Sequence, residues 1–203
     1  MNLPNKITLS RICLIPVFAV VFFLDMIPYN YFIAGVIFTV AACTDFIDGH
    51  IARSRGLVTN LGKFLDPIAD KVLVAAAFIF LLVRQGTLTV LWQGDWVLVY
   101  AGVCVAVILA RELIVSGFRM VAAERKLVIA ADKLGKVKTT CQDAAIAFLL
   151  VGLSFLDSTA GQVIGFIGLI LFFACTVLTV VSGVNYILKN KSVLTEAKGE
   201  TQA

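Results

Sequence analysis

Six apolar stretches, separated by shorter polar segments, dominate the sequence. They run over Ile12–Leu24, Tyr31–Cys43, Val72–Val83, Val97–Ser116, Ala144–Leu156 and Val163–Tyr186. A helix that spans a bilayer needs about 20 apolar residues, and several of the stretches are shorter than that. They reach this length only if polar flanks such as Asp45–Arg53 and Asp66–Lys71 continue the helices, as happens where a flank lines a wet cavity. We therefore predict six transmembrane helices.

The composition favours an all-α integral membrane protein. Of the 203 residues, 60% are hydrophobic and only 15% are charged, whereas soluble domains carry about 25% charged residues. We interpret residues 1–190 as a single membrane domain. Residues 191–203 are polar and are predicted to form a short disordered tail.

Basic residues concentrate at one end of the predicted helices. That end carries Lys6, Arg11, Arg53, Arg55, Lys63, Arg125, Lys126, Lys133, Lys136, Lys138, Lys189, Lys191 and Lys198. The opposite end offers Arg84 beside Asp25, Asp95 and Asp157. The positive-inside rule then predicts that both termini and the basic connections are cytoplasmic. The net charge of +4 reflects this topology and anionic ligands or lipid headgroups, and no nucleic-acid partner is predicted.

Four aspartates and several small residues follow a fixed spacing between the second and third stretches. The spacing is Asp45-x2-Asp48-Gly49-x2-Ala52-Arg53-x8-Gly62-x3-Asp66-x3-Asp70. Residues three or four apart share a helix face, so the acids align in pairs on two helices. An unpaired acid at bilayer depth costs about 2.5–3.5 kcal/mol, so a cation must lie among them. Carboxylate oxygens are hard ligands that suit Mg²⁺ or Mn²⁺.

The small residues beside these acids add a second indication. Gly49, Ala52 and Gly62 leave room for a bulky ligand to lie against the backbone. Pro67 fits the first position of a helix, with Asp66 as its N-cap. The alternative is that the acids only pair with nearby cations at the membrane edge. Those cations are Arg53, Arg55, Lys63 and Lys71, and ion pairing would not require the small residues.

A second polar cluster follows on the same predicted side. Arg111 and Arg119 lie at the end of the fourth stretch, and Lys136 opens the fifth helix. An arginine fork binds phosphate with two hydrogen bonds, so we interpret the cluster as a basin for a phosphate group. The alternative is that Glu112 only pairs with Arg111 or Arg119.

Three further features are less specific. Lys136, Thr139, Thr140 and Asp143 recur at helical spacing and form a stripe near the start of the fifth helix. The segment Pro4–Arg11 is amphipathic, and its Asn5, Thr8 and Arg11 either face a headgroup or anchor the chain at the interface. Gly161-x3-Gly165 is a small-residue pattern that predicts close helix packing within or between chains. His50 lies off the stripe of acids and is assigned no catalytic role.

The spacing over Asp45–Asp70 resembles the signature of the CDP-alcohol phosphotransferases, with every defining position present. Residues Asn2–Ile12, Ala110–Arg119 and Leu134–Gln142 look like the corresponding stretches of bacterial members that form phosphatidylglycerophosphate. The resemblance implies six transmembrane helices with a short amphipathic N-terminal segment, around a cytoplasm-facing polar cavity. It also implies a multi-pass homodimer in the bacterial cytoplasmic membrane.

The same resemblance implies an activity and its residues. A phosphatidyl group would pass from CDP-diacylglycerol to sn-glycerol 3-phosphate, with release of CMP. Asp45, Asp48, Asp66 and Asp70 would hold two divalent ions, Mg²⁺ or Mn²⁺, and Asp70 would also be the general base. The positions that match CDP-lipid contacts are Gly49, Ala52, Arg53, Thr59 and Gly62, with Asn5 and Thr8 as additions. On charge and position, we place the acceptor's phosphate at Arg111, Arg119, Lys136 and Lys138.

Two alternatives remain at this stage. The first keeps the chemistry with another acceptor, such as an inositol phosphate, serine or phosphatidylglycerol. The basic basin favours an anionic acceptor over serine, but does not separate glycerol phosphate from an inositol phosphate. The second is a cation transporter that uses the four acids as an ion path. A transporter has no need of the small residues or of the basin.

Overall fold

The computed structural model describes residues 3–54, 60–84, 96–124 and 133–190, with the side chains of 9–44, 68–84, 96–122 and 134–190. This described part consists of six α-helices and contains no strand. The helices are α1 (Leu3–Phe23), α2 (Asn30–Ser54), α3 (Asn60–Val83), α4 (Trp96–Glu124), α5 (Lys133–Ser154) and α6 (Thr159–Lys189). Each predicted apolar stretch falls on its own helix, which confirms the all-helical class.

The polar flanks continue the helices, as predicted. α2 extends past its apolar stretch to Ser54, and α3 begins at Asn60, well before Val72. The interpretation of Pro67 as a first helical residue was wrong, because Pro67 lies inside α3 and Asp66 is not an N-cap. Inside a helix a proline removes one hydrogen bond and its ring crowds the carbonyl four residues earlier, yet α3 continues through Pro67.

α1 is one helix from Leu3 to Phe23, so the predicted amphipathic segment forms its first turns rather than a separate element. Arg11 is fully buried, and its Nε donates to the carbonyl oxygen of Ala41 on α2 at 3.1 Å. Arg11 therefore fastens α1 to α2 and does not face a lipid headgroup. α1 and α2 are close enough here for the side chain of Arg11 to reach a backbone carbonyl of α2.

α5 and α6 form a tightly packed hairpin, and the glycines on both helices explain the close approach. A Cβ atom at Gly152 would lie 2.4 Å from the Cα atom of Gly165. A Cβ atom at Gly168 would lie 2.7 Å from the backbone nitrogen of Leu149. Ser158 caps α6 by accepting a hydrogen bond from the backbone nitrogen of Gly161 at 3.0 Å. The small-residue pattern thus packs two helices of the same chain.

Phenylalanine rings fill much of the core between α1, α2 and α3. Phe18, Phe22 and Phe38 are buried, and Phe18 stacks on Phe80 with ring centroids 5.6 Å apart. Apolar side chains gain little from leaving lipid, so contact packing of this kind is what holds helices together in a bilayer. This cluster lies away from the aspartates and leaves them at the opposite end of α2 and α3.

The end of α3 opposite the aspartates carries an ion pair. Arg84 Nη2 lies 2.5 Å from Asp25 Oδ1, and the guanidinium carbon lies 5.8 Å from the ring centroid of Phe23. The hydrogen bond that Arg84 donates to Asp25 raises the pKa of Arg84 above its ordinary value. This pair connects the segment after α1 to the end of α3.

Two helices of the described chain are long and apolar enough to cross a membrane. They are Trp96–Ala122 and Thr159–Lys189, and shorter apolar helices run over Leu9–Phe23 and Asn30–Thr44. Large apolar side chains cover the outer faces of α4 and α6, including Val103, Phe166 and Val177. Contiguous apolar surface of this kind marks a contact with lipid or another protein.

Candidate active site

Asp70 lies where three cavities meet. The first cavity has a volume of about 300 Å³ and is here called the basic cavity. Its lining residues are Asp70, Lys71, Arg111, Glu112, Val115, Ser116, Arg119, Gly135, Lys136, Thr139 and Tyr186. Asp70 also borders a cavity of about 570 Å³ against α2 and one of about 200 Å³ between α3, α4 and α5. Asp70 thus borders all three cavities.

The basic cavity brings together residues that are far apart in the sequence. Arg111, Arg119 and Lys136, all predicted for the acceptor's phosphate, line it together with Asp70. Thr139 borders all three cavities, and its hydroxyl donates to the carbonyl oxygen of Lys136 at 2.9 Å. Four different helices contribute to this wall. The chain therefore places Asp70 around one space with all three predicted phosphate-binding cations, and Lys71 and Glu112 border the same space.

The rest of the predicted stripe on α5 also faces these cavities. Thr140 and Asp143 line the cavity against α2, and Asp143 borders the cavity between α3, α4 and α5 as well. The Thr140 hydroxyl donates to the carbonyl oxygen of Lys136 at 3.2 Å. The side of α5 that carries the stripe is therefore the side that builds the site.

Lys138, the fourth predicted phosphate contact, does not line the basic cavity. Its side chain is 1% exposed, and its Nζ lies 2.5 Å from Glu112 Oε1. The same carboxylate oxygen accepts a hydrogen bond from Arg111 Nη1 at 2.9 Å. A Glu112–Arg111 pair is thus present, with Lys138 as an additional partner of Glu112. Charges at membrane depth pair in this way because isolation in a medium of low dielectric is costly.

Two residues of α6, which sequence reasoning missed, hold the arginines. Ser182 Oγ accepts a hydrogen bond from Arg111 Nη2 at 2.9 Å, and Tyr186 Oη accepts one from Arg119 Nε at 3.2 Å. The guanidinium carbon of Arg119 also lies 5.4 Å from the Tyr186 ring centroid. The available signal was a stripe of polar residues at helical spacing, Thr179, Ser182 and Tyr186, in a mostly apolar helix.

The other predicted site residues lie outside the part of the chain whose side chains are described. For the metal site these are Asp45 and Asp48 on α2 and Asp66 on α3. For the CDP-lipid they are Asn5, Thr8, Gly49, Ala52, Arg53, Thr59 and Gly62. Among the described side chains there is no cluster of three or more His, Cys, Asp or Glu residues that could hold a metal ion.

The described part of α2 and α3 brings Asp70 near the beginning of the segment that carries Asp45 and Asp48. Asp70 on α3 and Cys43 on α2 line the same cavity, and Cys43 lies two positions before Asp45. The donor set consists of carboxylate oxygens alone, which Mg²⁺ and Mn²⁺ prefer. The residues present therefore fit a divalent metal site between α2 and α3.

Comparison with known proteins identifies the class to which this fold and site belong. The family model for CDP-alcohol phosphatidyltransferases matches residues 1–184, and the chain is a member of that family. With its apolar helices, this membership indicates a membrane protein.

Individual relatives are similar over nearly the whole chain. A protein of Bacillus subtilis is 38% identical over 205 residues, which cover 95% of this chain and 97% of the relative. Proteins of Escherichia coli K12 and Shigella flexneri are each 39% identical over 188 residues, which cover 92% of this chain and 93% of the relative. All three are named CDP-diacylglycerol–glycerol-3-phosphate 3-phosphatidyltransferase.

Proposed function

We propose that this chain transfers the phosphatidyl group of CDP-diacylglycerol to sn-glycerol 3-phosphate, giving phosphatidylglycerophosphate and CMP. The names of its relatives support this reaction. The observation that carries it is the basic cavity, where Asp70 faces the same space as Arg111, Arg119 and Lys136. A carboxylate beside a phosphate-binding group is what an acceptor with a hydroxyl at one end and a phosphate at the other requires.

The reaction is a substitution at the lipid-side phosphorus. A hydroxyl oxygen of the acceptor forms the new P–O bond, and the bond to the departing CMP breaks with its electron pair. Asp70 accepts the hydroxyl proton as the general base, which makes the attacking oxygen more nucleophilic. Asp70 lies where the cavities meet, so its carboxylate is accessible from the space that holds the acceptor.

The acceptor's phosphate binds between Arg111, Arg119 and Lys136. Their combined positive charge orients the acceptor and converts a bimolecular encounter into a reaction between bound groups. Lys138 does not join this group, because its ammonium is buried against Glu112. Lys138 therefore balances part of the negative charge of Glu112. Arg111 then keeps more of its positive charge for the phosphate.

The donor lies against the ends of α2 and α3. Gly49, Ala52 and Gly62 give it room, Arg53 and Thr59 contact the CDP moiety, and Asn5 and Thr8 of α1 add to the pocket wall. Divalent ions, Mg²⁺ or Mn²⁺, held by Asp45, Asp48, Asp66 and Asp70 would supply positive charge to the diphosphate and to the leaving CMP.

The chain crosses the bacterial cytoplasmic membrane six times, with both termini and the cavity on the cytoplasmic side. The distribution of lysine and arginine supports this orientation. Residues 1–190 form one membrane domain that pairs as a homodimer, followed by a disordered tail over 191–203. The topology can be tested in intact cells with the variants Asp25→Cys and Lys189→Cys and a thiol reagent that does not cross the membrane. Of the two introduced cysteines, only the one at position 25 should react.

The decisive experiment is product identification. Full-length protein purified in detergent is mixed with Mg²⁺, CDP-diacylglycerol and sn-glycerol 3-phosphate, and CMP release is followed together with lipid mass analysis. We expect CMP and phosphatidylglycerophosphate in equal amounts. Absence of CMP release would overturn the proposal, as would metal-dependent cation flux without CMP binding, which indicates a transporter.

Parallel reactions with an inositol phosphate, serine and phosphatidylglycerol test the choice of acceptor. Arg111, Arg119 and Lys136 of the basic cavity favour the phosphate-bearing acceptors. We expect sn-glycerol 3-phosphate to have the highest kcat/KM. A higher value for an inositol phosphate would keep the chemistry and reassign the acceptor.

A further inference from the structure

The guanidinium of Arg111 is held on two sides by hydrogen bonds to neighbouring side chains. Its Nη1 donates to Glu112 Oε1 and its Nη2 to Ser182 Oγ, each at 2.9 Å. Its Nε is buried and has no hydrogen-bond partner among the described residues. An arginine offers five N–H donors in a fixed plane, so two fixed contacts determine where the remaining donors point.

Ser182 is built to accept this hydrogen bond. Its own hydroxyl donates to the carbonyl oxygen of Thr179 at 3.2 Å, which leaves an oxygen lone pair for Arg111. Ser182 is only 1% exposed, so water does not compete for that lone pair. The next residue, Gly183, leaves space for the arginine, because a Cβ atom there would lie 2.9 Å from Arg111 Cγ. The stem of Arg111 therefore rests on α6.

Tyr186 lies one helical turn after Ser182 and holds Arg119 in a similar way. Its hydroxyl accepts from Arg119 Nε at 3.2 Å, and its ring lies under the guanidinium. Tyr186 is 2% exposed and packs edge-on against Phe118, with centroids 6.0 Å apart. Packing fixes the orientation of the buried Tyr186 ring. Its contacts with Arg119 in turn fix the orientation of this otherwise exposed arginine.

We propose that Ser182, Gly183 and Tyr186 of α6 are positioning residues that fix Arg111 and Arg119 as a preformed clamp for the phosphate of the acceptor. The inference rests on the proposed function and extends it to a helix outside the aspartate signature. A preformed clamp lowers the conformational entropy lost when the phosphate binds. The contribution of α6 should therefore appear in the affinity for the acceptor, and neither in the binding of the CDP-lipid nor in the chemical step.

The test compares KM values for the two substrates in the full-length protein. Ser182→Cys keeps the shape of the side chain but replaces the oxygen by a weak acceptor, and Tyr186→Phe keeps the ring and removes the hydroxyl. We expect each variant to raise the KM for sn-glycerol 3-phosphate about 3- to 10-fold, which corresponds to the typical net contribution of one hydrogen bond. The KM for CDP-diacylglycerol and kcat should stay within about twofold of wild type.

Three controls separate positioning from structural damage. Thr179→Val removes a buried hydroxyl from the same helix, one whose hydrogen bond goes only to the carbonyl oxygen of Cys175, and should change neither KM. Ser182→Thr, unlike Ser182→Cys, keeps a hydroxyl at this position, so the KM for the acceptor should match that of wild type. In an Arg111→Ala background, Ser182→Cys should have no further effect, because its partner is absent.

The possible outcomes decide the matter. An unchanged acceptor KM in both Ser182→Cys and Tyr186→Phe, or an equal rise in both KM values, would overturn the clamp. If wild type releases no CMP, the proposed function fails separately. The clamp is then decided by whether inorganic phosphate raises the unfolding temperature of wild type more than that of the two variants.

Discussion

Arg111 and Ser182 are 71 residues apart in the sequence, and their side chains are joined by a 2.9 Å hydrogen bond. This bond connects α4 to α6, while the salt bridge from Glu112 to Lys138 connects α4 to α5. The last three helices are thereby fixed to one another beside Asp70. The site thus has two halves, a signature half on α2 and α3 and a basic half on α4, α5 and α6.

Replacement of Asp70 by asparagine tests the general base. The Asp70→Asn variant keeps the size and the polar atoms but cannot accept a proton at neutral pH. We expect kcat to fall about 100- to 10,000-fold, the usual contribution of a general base. CMP release at saturating substrate measures this change, and the helical circular dichroism signal should match wild type. A variant with full turnover would show that another group takes the proton.

Replacement of Arg119 by alanine tests the acceptor site. Arg119→Ala removes a cation of the basic cavity, so we expect the KM for sn-glycerol 3-phosphate to rise about 10- to 100-fold, with CDP-diacylglycerol affinity preserved. Arg84→Ala is the matched control, because it removes the same charge at the opposite end of the protein. If Arg119→Ala instead binds CDP-diacylglycerol more weakly and leaves the acceptor KM unchanged, the basic cavity would be a donor site.

The ion cluster around Glu112 predicts a loss of stability. Glu112→Gln leaves the buried ammonium of Lys138 without a counter-charge, and breaking a buried ion pair costs about 3–5 kcal/mol. We expect a lower unfolding temperature in detergent, followed by the circular dichroism signal of the helices. The double variant Glu112→Gln, Lys138→Met removes both charges of the pair and should recover most of the loss. A double variant less stable than Glu112→Gln would contradict this account.

The α5–α6 hairpin predicts that methyl groups are tolerated only where the helices are apart. Gly168→Ala would bring a Cβ atom to 2.7 Å from the backbone nitrogen of Leu149, so we expect a clear loss of stability. At Gly102 an added Cβ meets no heavy atom within 4 Å, and Gly102→Ala should be neutral or stabilising. Thermal unfolding of the two variants side by side measures the difference. Equal unfolding temperatures would show that the hairpin relaxes.

Removal of divalent metal tests the role of the four aspartates. With a chelator present, we expect CMP release to stop and CMP affinity to fall. The phosphate groups of the donor and of CMP would then meet uncompensated carboxylates. Added Mg²⁺ or Mn²⁺ should restore both. Asp48→Asn should raise the Mg²⁺ concentration needed for half activity. Full activity in chelator would exclude a metal role for these acids.

The helices were predictable because their signal is local. Each apolar stretch maps onto one helix, and the spacing of the acids required α2 and α3 to extend into polar sequence, which they do. Pro67 misled the interpretation, since a proline near the beginning of a helix looks the same as a proline at its first position. The spacing rule gives faces and lengths, but not which turn begins the helix.

The basic half of the site was only partly predictable. Arg111, Arg119 and Lys136 could be chosen by charge and end of helix, and they do line one cavity. The burial of Lys138 against Glu112, and of Arg11 against Ala41, depends on which helices become neighbours. The same holds for Ser182 and Tyr186, whose partners lie on another helix. No local pattern contains that information, because it arises from the packing of distant segments.

The position of Asp70 on α3 separates reactivity from substrate choice. The walls of the basic cavity come largely from α4, α5 and α6, whereas Asp70 belongs to the segment that carries the signature. Substitutions in those walls leave Asp70 in place. A change of the headgroup alcohol through the C-terminal helices alone is therefore compatible with an unchanged aspartate signature.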